Sequence, residues 1–195
     1  MNREYHKWFS PALHRDMELL IFGHGGVRVI VFPTRNGRFF DYENFGILDG
    51  VREKIDNGWV QLFCVDSVDA ESFYCSGAPP AHRIRRHVAY DTYILREVLP
   101  FTLFVNSSAY LIVHGCSMGA FHAVNFALRH PDVVTKVVAC SGRYDLTTPI
   151  GDYCDLFDGY YDDLVYFNTP LHFVPNLRDE SLLHSLRRIE THLAV

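Results

Sequence analysis

Residues 110–119 read Tyr-Leu-Ile-Val-His-Gly-Cys-Ser-Met-Gly, an apolar run followed by a Gly-x-Ser-x-Gly motif. The apolar run predicts a buried strand over Tyr110–His114, and the pattern of Met118–Arg129 predicts a helix directly after it. A serine between two glycines at a strand-to-helix turn is typical of a nucleophile elbow, because glycines leave room for a strained backbone at the serine. The dipole and free N–H groups of the helix start would stabilise negative charge beside that serine. The motif therefore predicts Ser117 as a nucleophile, and the alternative is a tight turn without chemistry.

The rest of the chain alternates between apolar strands and amphipathic helices. Val27–Phe32 is β-branched and almost wholly apolar, which is typical of a strand covered on both faces. Such alternation predicts an α/β fold with a mostly parallel, doubly wound sheet and helices on both faces. The predicted strands are Tyr5–Leu13, Met17–Phe22, Val27–Phe32, Trp59–Val65, Tyr110–His114, Val133–Cys140 and Ile189–Val195, and the predicted helices are Asp41–Asn57, Pro79–Val98, Met118–Arg129 and Glu180–Arg188.

Residues 142–178 break the alternation, since they are rich in Tyr, Asp, Phe and Pro and show no clear period. We expect an irregular, cap-like segment there, within a single domain that spans residues 1–195. Ligand sites in parallel sheets lie beyond the carboxyl ends of the strands. The loops after the predicted strands are therefore the places to look for a site. His24-Gly25-Gly26 precedes a strand, and we expect it to form a hairpin turn.

Length and charge exclude several classes of protein. The 195 residues fit one domain, and the formal net charge of −5 argues against a nucleic-acid binder. No apolar stretch approaches the roughly 20 residues that a membrane-spanning helix needs, and no secretory signal is seen. The five cysteines form no metal-binding or disulfide spacing, so reduced, mostly buried thiols and a cytoplasmic location are expected.

Four stretches resemble the putative-esterase branch of the α/β-hydrolases, which is related to esterase D and the mycolyl-transferase-like esterases. They are Val29–Thr34, Gln61–Ser67, His114–Arg129 and Gly159–Asp163, and they are densest around Ser117. The resemblance implies an α/β-hydrolase fold and a serine hydrolase that forms an acyl-enzyme on Ser117. Its partner would be a small-molecule carboxylic ester, thioester or lactone, and it would need no cofactor and no metal.

The resemblance also implies an oxyanion hole made of two backbone N–H groups. One belongs to Met118, the residue after the nucleophile. The other comes from the loop Thr34-Arg35-Asn36-Gly37, where Thr34 and Arg35 are equal candidates and Gly37 would let the loop turn tightly. The alternative is a purely structural loop.

The base and the acid of the site are less evident. In α/β-hydrolases the chain order is Ser, then Asp or Glu, then His. The resemblance places the acid after the strand that begins at Ile189 and the histidine one strand later. Neither position exists here, so we expect a C-terminally truncated fold that lacks the last strand and helix. Activity would then be weak.

Among the eleven histidines, His172 and His114 are the remaining candidates for the base. His172 lies in the irregular segment, and His114 ends the central strand. Asp145, which follows Val133–Cys140, is the candidate acid. Asp66 and Asp69 follow another strand, and we interpret them as helix-capping or loop hydrogen-bonding residues.

A second class of function fits the missing residues: a catalytically dead fragment that keeps the fold and acts as a binding module. A sheet that ends at Ile189–Val195 would also leave an unpaired edge strand. Such edges favour pairing with another chain. We therefore expect a homo-oligomer that assembles through this strand.

Overall fold

One seven-stranded sheet organises the chain, of which the computed structural model describes all 195 residues. The spatial order is β1-β2-β4-β3-β5-β6-β7. The pairs β1–β2 and β2–β4 are antiparallel, and every other neighbouring pair is parallel. The strands are β1 (Arg3–Ser10), β2 (Arg15–Phe22), β3 (Val27–Phe32), β4 (Val60–Val65), β5 (Leu111–Cys116), β6 (Lys136–Cys140) and β7 (Glu190–Ala194).

Helices cover both faces of this sheet. They are α1 (Asp41–Asn44), α2 (Ile47–Asp56), α3 (Pro80–Tyr93), α4 (Leu99–Val105), α5 (Met118–Arg129), α6 (Asp163–Phe167), α7 (Pro170–Phe173) and α8 (Glu180–Leu186). A π-helical segment, Ile94–Val98, joins α3 to α4, and a 3₁₀ turn, Val174–Asn176, follows α7. No helix is both long enough and apolar enough to cross a membrane.

The core divides into two layers because successive strand residues point to opposite faces. In β3, Ile30 and Phe32 join the larger cluster, which also contains α3 and α5 residues. Val29 and Val31 face the other way, onto a cluster that includes Tyr42 of α1. Both faces of the central strand are thus covered, as the mostly parallel, doubly wound prediction requires.

A third apolar cluster attaches residues 142–178 to the rest of the chain. Leu156, Phe157 and Val165 of this segment pack with Met118 and Phe121 at the start of α5. The segment, which we call the cap, consists mainly of loops and the short helices α6 and α7. It therefore covers the end of the sheet where β5 passes into α5.

Three local predictions were wrong. The helix expected over Asp41–Asn57 is interrupted at Gly46, which adopts φ +69° between α1 and α2. The helix expected to end at Val98 instead continues through the π-helical segment into α4, which contains Pro100. His24-Gly25-Gly26 is not a hairpin turn, because β4 lies between β2 and β3 in the sheet.

Candidate active site

Ser117 lies at the turn between β5 and α5, with φ 56° and ψ −119°. A positive φ at a residue other than glycine is uncommon and is often found at functional sites. The Ser117 N–H donates to the Cys140 carbonyl at 2.9 Å, which holds the turn against β6. The Ser117 side chain is exposed, and its hydroxyl has no hydrogen-bond partner in the protein.

The two glycines of the motif permit close backbone packing around this turn. A Cβ on Gly115 would collide with the Gly119 backbone, and a Cβ on Gly119 would lie 2.6 Å from the Pro33 carbonyl oxygen and closer still to that of Phe32. The start of α5 therefore packs directly on the carboxyl end of β3. This contact places the helix N-terminus beside the loop that follows β3.

Unbonded N–H groups remain on both sides of that contact. The Met118 N–H begins α5 and has no partner, and the same holds for the N–H groups of Thr34 and Arg35. The loop is a turn closed by the Gly37 N–H, which donates to the Thr34 carbonyl at 2.8 Å. These free donors can stabilise a developing oxyanion.

The conformational demands of this loop differ in detail from expectation. Asn36, rather than Gly37, takes the left-handed conformation, with φ +54°. Gly37 is required for a different reason, because a Cβ there would lie 2.6 Å from Asp41 Oδ2 and 2.8 Å from the Thr34 carbonyl oxygen.

A buried contact between Asp69 and His122 supports the loop. Asp69, which is almost fully buried, accepts a hydrogen bond from the Asn36 N–H through Oδ2 at 3.3 Å. Its Oδ1 lies 2.9 Å from Nε2 of His122, a buried residue of α5. Asp69 thus joins α5 to the loop that carries Thr34 and Arg35.

Tyr74 forms one wall beside the turn. Its hydroxyl lies 3.8 Å from Met118 Sδ, and the guanidinium of Arg35 stacks over its ring at 5.4 Å from the centroid. Burial is the main reason that the pKa of Tyr74 is raised, and Asp69 adds to the effect, whereas the charges of Arg35 and Arg143 oppose it. Both arginines therefore act on the phenol that borders Met118.

Two hydrogen bonds engage both ring nitrogens of His114. Its Nδ1 lies 2.7 Å from the Val138 carbonyl, which can only accept, so Nδ1 carries the proton. Nε2 then accepts from the Tyr42 hydroxyl at 2.5 Å. Burial lowers the pKa of His114, which further disfavours the protonated form. Neither ring nitrogen is available to Ser117.

His172 and Asp145, in contrast, lie together in the cap. His172 Nε2 is 3.4 Å from Asp145 Oδ2, and His172 Nδ1 is 2.8 Å from the Tyr161 hydroxyl. Burial would raise the pKa of Asp145, but hydrogen bonds from Thr147 and Thr148 outweigh it and hold the pKa well below its usual range. Asp145 is thus an anion beside a half-buried histidine, and neither residue hydrogen-bonds to Ser117.

Three other histidines, of which His87 and His122 are buried, are engaged in contacts away from Ser117. His122 pairs with Asp69, His130 lies 2.8 Å from Asp91, and His87 contacts Asn168 at 3.1 Å. All five cysteines are free, but only Cys64 is buried and Cys154 is exposed, so the expectation of mostly buried thiols was wrong. A cavity of about 250 Å³ lies at the opposite end of the sheet, where Ala109 and Val133–Thr135 line it.

Together the fold and the turn at Ser117 define an α/β-hydrolase. A family profile described as "Putative esterase" matches residues 42–178. This match spans well over half of the chain, so the chain belongs to that esterase family. A search of curated proteins found no match to the sequence.

Solved structures share the fold at low identity. The S-formylglutathione hydrolase of Staphylococcus aureus is 12% identical, with a TM-score of 0.63, and the alignment covers 99% of this chain and 90% of that chain. A ferulic acid esterase is 13% identical, with a TM-score of 0.69 and coverages of 99% and 89%. An S-formylglutathione hydrolase from Agrobacterium tumefaciens is 14% identical, with a TM-score of 0.60 and coverages of 98% and 85%.

Sequence reasoning missed two contacts at this site. Asp69 makes a loop hydrogen bond to the Asn36 N–H, as interpreted, but its contact with His122 of α5 was not predicted. Tyr74 and its contact with Arg35 had no local signal, because the contact joins loops that follow different strands.

Proposed function

We propose that this protein is a serine esterase in which the Ser117 hydroxyl attacks a carboxylic ester and forms an acyl-enzyme. Membership of the esterase family supports carboxylic ester hydrolysis as the broad activity. The observation that carries the finer proposal is the strained Ser117 turn beside three unbonded N–H groups. The substrate is a small molecule that carries an ester, thioester or lactone.

The oxyanion would bind to the Met118 N–H and to one N–H of the loop after β3. Thr34 and Arg35 both have a free N–H, and both stay candidates. Attack on a carbonyl places negative charge on its oxygen, and pre-oriented donors stabilise that charge without reorganisation. Loss of one such donor typically costs about 10²–10³ in kcat.

For the base we propose His172, with Asp145 as its acid partner, and we set His114 aside. A base paired with an ionised carboxylate suits the triad logic, in which the acid orients the ring and stabilises its protonated form. His172 would have to exchange its present contact with Tyr161 or Asp145 for one with Ser117. Catalytic hydrogen bonds are often long or unformed before substrate binds.

Labelling with an uncharged fluorophosphonate, followed by mass spectrometry, tests this assignment. We expect stoichiometric labelling of Ser117 and no labelling in Ser117→Ala. In His172→Ala the rate of labelling should be lower by a factor of at least about 10³, and in Asp145→Asn the rate should fall by a smaller factor. His114→Gln serves as the matched control and should label at nearly the wild-type rate. Labelling that survives in His172→Ala would remove His172 from the mechanism.

A second candidate function is a binding module that keeps the fold but not the reaction. The observation that favours it is the Ser117 hydroxyl, which has no hydrogen-bond partner and no histidine beside it. Absence of labelling in the folded wild-type protein would favour this candidate over the esterase.

We further propose that the protein self-associates along β7. This strand pairs only with β6, and all five of its residues are exposed. An unpaired strand edge is a ready template for a second chain.

A further inference from the structure

We infer that the site selects esters that carry a negatively charged group, through Arg35 and Arg143. This inference rests on the proposed function and adds the chemical class of the substrate. The chain as a whole carries a net charge of −5, so a preference for anions has to come from local charges.

Arg35, in the loop after β3, supplies the first positive charge. It is exposed, forms no ion pair, and none of its guanidinium nitrogens has a hydrogen-bond partner in the protein. Its guanidinium stacks over the ring of Tyr74, whose hydroxyl lies 3.8 Å from Met118 Sδ. The stack places the guanidinium over the tyrosine that borders Met118, with its donors free for a ligand.

Arg143 supplies a second charge from the cap. Its Nε and Nη2 donate to the backbone carbonyls of Asp145, Thr148 and Cys154, at 2.7 to 3.0 Å, so no carboxylate neutralises it. The third nitrogen, Nη1, has no partner. Arg143 lies three residues after Cys140, whose carbonyl accepts the Ser117 N–H at 2.9 Å, so this arginine belongs to the same end of the sheet as the Ser117 turn and the loop that carries Arg35.

The nearby carboxylates are already engaged elsewhere. Asp69 is buried and binds the Asn36 N–H and His122. Asp145 binds Thr147, Thr148 and His172. A substrate carboxylate would thus meet two guanidinium groups whose remaining donors match its geometry.

Matched ester pairs measure the preference. One pair places the charge on the acyl side: the 4-nitrophenyl monoester of glutaric acid against 4-nitrophenyl valerate. The other places it on the alcohol side: 4-acetoxybenzoate against 4-acetoxybenzamide. Each kcat/KM is divided by the rate of uncatalysed hydrolysis. We expect a preference for the anion of about tenfold in at least one pair, weakened at about 1 M salt.

Charge variants connect that ratio to the arginines. In Arg35→Ala the anion-to-neutral ratio should fall about threefold, and in Arg35→Glu it should fall below one. Arg96→Ala is the matched control, because Arg96 is an exposed arginine without an ion pair on the π-helical segment after α3. Equal turnover within both pairs, or a ratio that Arg35→Glu leaves unchanged, would overturn the inference.

A binding measurement separates this inference from the proposed function. Calorimetric titration of Ser117→Ala with the glutarate monoester and with 4-nitrophenyl valerate reports selectivity without turnover. Tighter binding of the anion that disappears in Ser117→Ala/Arg35→Glu supports the inference even if wild-type hydrolysis fails. Equal affinity for the two esters counts against it even if hydrolysis of neutral esters is robust.

Discussion

At the residue scale, two glycines determine whether the Ser117 turn can form. Gly119 has no space for a side chain because the carbonyl oxygens of Phe32 and Pro33 fill the position of its Cβ. The same packing brings α5 next to the loop with the free N–H groups of Thr34 and Arg35. Fold and site therefore depend on one backbone contact.

Gly119→Ala should destabilise the protein and remove its activity. The added methyl forces α5 away from β3, and overpacking of this kind typically costs about 1–3 kcal/mol. Urea unfolding measures the free energy of unfolding, and ester hydrolysis measures the damage to the site. Gly50→Ala in α2 is the control, since nothing lies within 4 Å of its Cβ position. That variant should gain about 0.5–1 kcal/mol, and an unperturbed Gly119→Ala would contradict the packing described.

His87 gives a residue-scale prediction about pH. Burial lowers the pKa of His87 to about 3, with His122 contributing to the shift. An unfolded chain would bind the proton near pH 6.5, so between about pH 6.5 and pH 3 the unfolded state holds more protons than the folded state. Stability from this group is complete above pH 6.5 and falls as the pH decreases through that window.

The variant His87→Gln should flatten the acid side of the stability curve. The slope of the unfolding free energy between pH 6 and pH 4 should decrease by about 1.4 kcal/mol per pH unit relative to wild type. The exposed His184 of α8 provides the control His184→Gln, for which the wild-type slope is expected. Parallel curves for wild type and His87→Gln would show that His87 does not titrate as described.

At the element scale, the cap is held to α3 and α5 by buried polar contacts as well as by apolar packing. Arg83 of α3 donates to the Leu156 carbonyl at 2.8 Å and pairs with Asp158. Asn168 accepts from Asn125 of α5 at 3.0 Å and contacts His87. These contacts position the segment that carries Asp145 and His172.

Removal of Arg83 should loosen the cap. Arg83→Ala leaves the Leu156 carbonyl and Asp158 without their partner. Removing one partner of a buried ion pair typically lowers the free energy of unfolding by about 3–5 kcal/mol. We expect a smaller loss here because Asp158 is exposed. Hydrogen exchange should increase mainly over residues 155–170. Arg85→Ala, two residues away on the exposed side of α3, should change stability by no more than about 0.5 kcal/mol. Equal exchange in the two variants would argue against this anchor.

The elements differ in how far sequence could predict them. Val27–Phe32 and the Ser117 turn were predictable, because a buried parallel strand is a continuous apolar run and the elbow has a local motif. The break at Gly46 and the continuation into α4 were not, since both depend on packing and not on apolar period. His172 and Asp145 were named as candidate base and acid, but the contact of His172 with Tyr161 could not be predicted from residues 142–178, which lack a period and pack against α3, α5 and Phe73.

At the scale of the whole molecule, β7 is one of the two edge strands of the sheet, and β1 is the other. Leu193 is 56% exposed, and no other element covers the strand. A charge on an edge strand discourages pairing with another chain. The edge therefore supplies a direct test of self-association.

Leu193→Lys should shift the protein towards the monomer. Light scattering over a wide range of concentration should give a mass above that of one chain for wild type and a lower mass for the variant. Phe104→Lys changes an even more exposed apolar residue on α4 and should leave the association unchanged. A wild-type protein that is monomeric at every concentration would remove this proposal.

The central claim is that Ser117 carries the acyl group during ester hydrolysis, and trapping that intermediate tests it most directly. Wild-type protein is mixed with excess 4-nitrophenyl acetate, quenched in acid within the first turnovers and examined by mass spectrometry. We predict one added acetyl group per chain, on the peptide that contains Ser117, and none in Ser117→Ala. Hydrolysis that proceeds without an acetylated Ser117, or at an equal rate in Ser117→Ala, would contradict the account.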